Sequence, residues 1–186
     1  MSWKIFKSNI KRRVQKPETL QKIDDVVDLY TNEYDRAIRR GRDTINKTLL
    51  SRGNTAAFRA TLKFSLQAAE RSNSPTFSLV NEFGKSVIAY WTGATLSNLP
   101  LPIIPAAGAI RNIAITSNIV VNPGIWPTLP PLPPSQTSDV FLDNLVLAST
   151  LHLRTITGTI STISLYPGPI SPITAPGIVP WTGFTV

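Results

Sequence analysis

PETLQKIDDVVDLYTNEYDRAIRR, residues 17–40, is the stretch on which the fold turns. Leu20, Ile23, Val27, Tyr30, Tyr34 and Ile38 recur every three or four positions, the spacing that gathers apolar side chains into one stripe on a helix. Pro17 suits a first helical turn, where its missing N–H has no partner to lose, and Glu18 complements the positive end of the helix dipole. The spacing predicts a helix beginning at about Pro17. Its period runs on past Gly41 to Ile45 and Leu49, and Gly41 either ends the element or stays helical at a cost of about 1 kcal/mol.

Upstream, Trp3, Phe6, Ile10 and Val14 form a second stripe, ringed by Lys4, Lys7, Lys11 and Arg12. This predicts a short amphipathic helix ending near Lys16, ahead of the proline. Downstream, SRGN (51–54) reads as a stop, with Gly53 suited to a left-handed helix cap and Asn54 or Thr55 suited to start the next helix. That third helix would bury Phe58, Leu62, Leu66 and Ala69 and end at RSNSP (71–75). A fourth, from about Thr76 to Ala94, would use Val80, Phe83, Val87 and Trp91. Residues 1–96 therefore read as a small basic helical bundle.

The second half has another character. Residues 1–85 hold 17 Lys/Arg and 9 Asp/Glu, whereas residues 86–186 hold only Arg111, Asp139, Asp143 and Arg154. The whole net charge of +8 thus lies in the first part. Soluble domains carry about 25% charged residues, so a segment this poor in charge is expected to lie against something else. Fifteen of the 16 prolines follow residue 70, in runs such as LPLPIIP (99–105) and WPTLPPLPP (126–134). Proline resists helix interiors and central strands, so residues 97–137 read as a Pro-rich extended linker or arm. Within it, IRNIAITSNIVVNPG (110–124) is β-branched enough for a short strand.

Residues 138–166 predict one further apolar helix, with Phe141, Leu145, Ala148, His152 and Thr155 on a face. Its second half, TITGTISTISLY, is rich in Thr and Ile and leaves strand as the alternative there. The closing PGPISPITAPGIVPWTGFTV (167–186) is too rich in Pro and Gly for helix or strand, and is expected to be an extended C-terminal arm that orders against a neighbour. The fold class expected is mainly α: a small basic helical bundle, a Pro-rich and largely extended segment with one further helix, and a C-terminal arm.

Chemistry-bearing motifs are sparse. Without cysteine, disulfides and thiolate zinc sites are excluded. The opening residues lack the uninterrupted apolar core of a secretory signal, and the uncharged run Ser86–Ile110 is a poor bilayer span because Pro100, Pro102 and Pro105 interrupt it. NEFGKS (81–86) ends like a phosphate-binding loop, but the glycine such a loop needs five residues before Gly84 is Leu79. Asp24, Asp25 and Asp28 lack the glycine turn and closing glutamate of a calcium loop, and read as a solvated face near Lys22. His152, the sole histidine, has no carboxylate nearer in sequence than Asp143 and reads as a hydrogen-bonded core histidine. No catalytic residue, cofactor or metal ligand is expected, and the chain does not read as an enzyme.

Binding residues are the remaining signal. Trp3, Phe6 and Ile10 would serve a partner or bilayer if exposed, or pack onto the bundle or onto a neighbouring copy if not. Trp126 and Trp181 stand among prolines and either sit in their own domain's core or, with Phe184, serve as aromatic anchors for a partner's pocket. Arg36, Arg39, Arg40 and Arg42 would meet phosphates or an acidic partner, although Glu33, Asp35 and Asp43 are interleaved with them.

Five phrases carry a resemblance: SWKIFKSNI (2–10), FSLVNEFGKSVIAYWTGATL (77–96), LPIIPAAGAI (101–110), NPGIWP (122–127) and GIVPWTGFTV (177–186). In that order, and across most of the chain, the sequence resembles small virion structural proteins of contractile-tailed phages infecting marine cyanobacteria. The resemblance implies a non-enzymatic virion subunit, assembled in the host cytoplasm and placed in the tail, baseplate or neck before the capsid shell. Its partners would be other virion proteins and copies of itself. A membrane-active protein using the basic opening helix is the alternative, followed by a nucleic-acid-binding protein.

Overall fold

Two helices open the chain in the computed structural model, α1 (Ser2–Val14) and α2 (Ile23–Arg40). The structure describes residues 2–16, 22–40, 49–72, 79–97, 119–128, 138–165 and 173–177. The apolar stripe of α2 is buried as its spacing requires, through Val27, Tyr30, Tyr34 and Ile38. The helix begins at Ile23, not at Pro17. The Asp25 carboxylate accepts from the Lys22 N–H at 3.1 Å, while the Lys22 carbonyl accepts from the Asp25 N–H at 3.0 Å. This reciprocal cap satisfies a donor the first turn would otherwise leave open.

The expected continuation through Gly41 crosses residues 41–48, outside the described residues, but Leu49 itself is not helical. It opens β1 (Leu49–Arg52), which pairs antiparallel with β2 (Thr95–Ser97), Leu49 opposite Ser97 and Leu50 opposite Leu96. This ladder ties the start of α3 (Thr55–Ser72) to the end of α4 (Leu79–Thr92). Asn54 caps α3, its side-chain oxygen accepting from the Ala57 N–H at 2.9 Å. Gly53 does not adopt the left-handed conformation expected of it, since Gly124 is the positive-φ glycine among the described residues. Gly53 instead lies under the Tyr90 ring, where an added Cβ would come within 1.9 Å of the ring carbon.

The second half adds β3 (Ile119–Asn122), α5 (Ser138–Leu153), β4 (Thr157–Leu165) and β5 (Ile173–Gly177). The helix expected over 138–166 therefore stops at Leu153. A tight turn closes it: the Arg154 N–H donates to the Leu151 carbonyl at 3.2 Å and the Thr155 N–H to the His152 carbonyl at 2.9 Å. The Thr- and Ile-rich run then takes the strand alternative, because stiff β-branched side chains pack better on a pleated surface than on a helix. β4 is the central strand of an antiparallel sheet ordered β3-β4-β5, with Ile119 opposite Ile160 and Leu165 opposite Ile173. β5 corrects the expectation that the tail forms no strand. It is an outer strand of the described sheet, and Pro176 falls at the register irregularity between Ile160 and Ile163, the kind of position that tolerates proline.

One apolar cluster runs through both halves. Phe6 and Ile10 of α1, Tyr34 of α2, Phe58 of α3, Phe83 and Val87 of α4, and Leu142 and Leu145 of α5 belong to it, with Val121 and Ile156. Its centre is aromatic: Tyr34 stacks on Phe58 at 5.4 Å and meets Phe83 and Tyr90 edge-on at 5.6 and 5.2 Å. The fold is mainly α, as the periodicity predicts, and its core does not stop at residue 96.

Candidate interaction surfaces

The basic opening helix turns its apolar face inward. Trp3, Phe6 and Ile10 are buried in the chain's own core, so the surface they were expected to offer a partner is already covered. The geometry takes the packing alternative, because a stripe this apolar gains more by joining the aromatic cluster than by facing water. Two of its cations reach α5: Lys7 Nζ lies 2.7 Å from Asp143 Oδ1, and Lys11 Nζ lies 2.8 Å from Asp139 Oδ2. The pair with Lys11 holds the Asp139 carboxyl below the usual carboxylate range. Lys4, Arg12 and Arg13 stay exposed.

Between α1 and α2 lies an open groove of about 490 Å³. Arg12, Arg13 and Arg36 line it, and so do Asp25, Asp28 and Glu33. Glu33 is buried and accepts from Asn9 Nδ2 at 2.8 Å and from Arg36. Of the arginines expected to meet phosphate, Arg36 is thus held by Glu33, and Arg39 is held by Asp35 at 2.8 Å. The side chains of Arg40 and Arg42 lie outside the described residues. A groove that alternates sign in this way complements another mixed-charge protein surface better than a phosphate backbone.

The three aspartates of α2 are separately engaged. Asp24 pairs with Lys63 at 2.8 Å and Asp28 with Arg59 at 2.7 Å, while Asp25 caps the helix. The hydrogen bond from Lys63 holds the Asp24 carboxyl below its ordinary value. No group of three or more His, Cys, Asp or Glu side chains among the described residues is placed to hold a metal ion. Nor is any described helix long and apolar enough to cross a membrane.

The GKS phrase has structural duties in the middle of α4. Gly84 lies beneath the indole of Trp126, where an added Cβ would come within 2.4 Å of ring atoms. Lys85 pairs with Glu82 at 2.7 Å, and Ser86 donates to the Glu82 carbonyl at 3.0 Å. Trp126, expected to anchor in a partner, therefore packs within its own chain. Its ring centroid lies 6.1 Å from Phe83 and 5.7 Å from His152. Trp181 and Phe184 lie outside the described residues.

His152 is fully buried, and its Nε2 lies 2.7 Å from the Pro123 carbonyl oxygen. Because a carbonyl only accepts, Nε2 carries the proton and donates it. Burial pushes the imidazole pKa down to about 4, against a smaller opposing effect of that hydrogen bond. A neutral imidazole thus fastens the 123–126 loop to α5. Thr155 helps, its Oγ1 accepting from the Ile125 N–H at 2.9 Å. What hydrophobic periodicity missed was this loop seat, which depends on Gly84 being bare.

The outward side of α5 differs from the other helices. Val140, Leu147 and Leu151 are exposed there, although Leu142, Leu145 and Ala148 are buried on the opposite side. A helix apolar on both sides has one face unaccounted for by its own core. Comparison with family models, with curated proteins and with solved structures finds no match to the chain.

Proposed function

We propose that the chain is a non-enzymatic structural subunit of a phage particle, placed in the tail, baseplate or neck, that binds neighbouring subunits through helical faces and extended arms. The observation that carries this reading is the distribution of charge: 101 residues from 86 to 186 contain four charged side chains. A free surface normally needs many more. In the described part of that half, β3 and β5 are the outer strands of the sheet and α5 carries an exposed apolar stripe. Surfaces of this kind bury well against neighbours, and the entropic cost of ordering extended arms is met on assembly. The resemblance to virion proteins of contractile-tailed phages supports the same reading.

The membrane alternative leaned on Trp3, Phe6 and Ile10, which lie in the core. The nucleic-acid alternative leaned on arginines, two of which are paired with acids. Mass spectrometry of purified particles, salt-washed, nuclease-treated and separated into heads and tails, tests the proposal. Retention in one fraction at a fixed copy number is expected. Absence from both, with the protein found in host membrane instead, would overturn it.

A further inference from the structure

The exposed stripe of α5 is self-complementary in a way its composition alone does not require. At about 100° per residue, Val140, Leu147 and Leu151 fall within roughly 40° of one another on the helix surface. Continued one residue past Leu153, the helical period puts Arg154, in the turn that closes the helix, on the same edge of the stripe as Asp143. Their order along the axis is the informative part. Leu147 and Leu151 are equally spaced about position 149, and Asp143 lies six residues before it while Arg154 lies five after it.

When two identical helices pack antiparallel about a two-fold axis at position 149, Leu147 of each meets Leu151 of the other. The same operation brings the charged edges together on one side of the pair, Asp143 of each beside Arg154 of the other. An isologous contact demands this property, that residue i meets j while j meets i. Arg154 has no ion-pair partner among the described residues, so it is available. Asp143, although it accepts from Lys7, has a side chain 64% exposed and a second oxygen to offer.

We infer that the outward face of α5 is a self-association surface whose occupant is the same face of a second copy, antiparallel, with two Leu147–Leu151 contacts flanked by two Asp143–Arg154 pairs. The inference goes beyond the virion reading and does not depend on it. One face of a four-turn helix is at the small end of interfaces, so the free pair is weak and concentration-dependent. It strengthens where an assembly holds copies side by side at high effective concentration.

Sedimentation velocity of the full chain, up to on the order of 100 µM, tests this. A monomer–dimer equilibrium is expected, lost in Leu147→Glu with no change in the helical circular dichroism, since Leu147 faces solvent. Asp143→Arg and Arg154→Asp should each weaken the homodimer by at least about tenfold, because each sets like charges opposite one another twice. Mixed in equal amounts, the two variants should form a heterodimer, because both pairs across the interface are then attractive. A chain that stays monomeric throughout, or a dimer that survives Leu147→Glu, or variants that fail to associate on mixing, would overturn the inference. Particle fractionation could fail while this experiment succeeds, and the reverse.

Discussion

At position 84 a hydrogen atom stands where any other residue would place a carbon, and the Trp126 indole occupies the space above it. Gly84→Ala removes a helix-weakening glycine but drives a methyl group into the ring. The second effect wins: overpacking a core costs about 1–3 kcal/mol, against under 1 kcal/mol gained in helix propensity. Urea unfolding should show net destabilisation of about 1–2 kcal/mol. In a Trp126→Ala background the same change should be neutral or stabilising, and an additive result would sink the seat. His152 supports a second prediction at this scale. Its native pKa of about 4 lies below its ordinary 6.5, so the unfolded chain takes up a proton between those values and the native chain does not. Stability is therefore full above about pH 6.5 and falls as pH drops toward 4, by roughly 3 kcal/mol at most. Urea titrations at pH 7 and pH 4.5 should show the loss, and His152→Gln, which retains a donor for Pro123, should flatten it.

Helices and strands show which local signals were legible. The caps and stripes of α3 and α4 follow from Asn54, Phe58, Leu62, Val80, Phe83 and Val87, all of which have short-range meaning. The start of α2 was not legible from Pro17, because the competing signal was the side-chain cap of Asp25. Between Thr155 and Leu165 the period alone was indecisive, and the antiparallel partner of β4 that decided it lies some forty residues upstream in sequence. The binding residues fared in the same way: Trp3 and Trp126 are recognisable as anchors, but only tertiary context says that they anchor within the chain. The α1–α5 contact permits a comparison of forces. Phe6 is buried and its loss to alanine should cost about 3–5 kcal/mol. The Lys11–Asp139 pair is nearly half exposed on both sides, and a double-mutant cycle should find its coupling much smaller than the loss on removing Phe6. A larger coupling there would mean that charge, not packing, seats α5.

For the molecule as a whole, the sequence foretold a charged half and a charge-poor half, and the structure gives them one core. A fragment ending at residue 97 would lose Leu142, Leu145, Leu153 and Ile156 from that core. It should unfold without a cooperative transition or aggregate, and a well-folded fragment with a sharp thermal transition would refute the shared core. The pairing of Lys7 with Asp143 spans 136 positions, and the same closure has a consequence in time. Ribosomes add roughly 5–20 residues each second. For several seconds after α1 to α4 have emerged, the side of the bundle that α5 will cover faces water, with the aromatic cluster beneath it. During that interval the nascent chain carries exposed apolar surface that only the arrival of α5 covers.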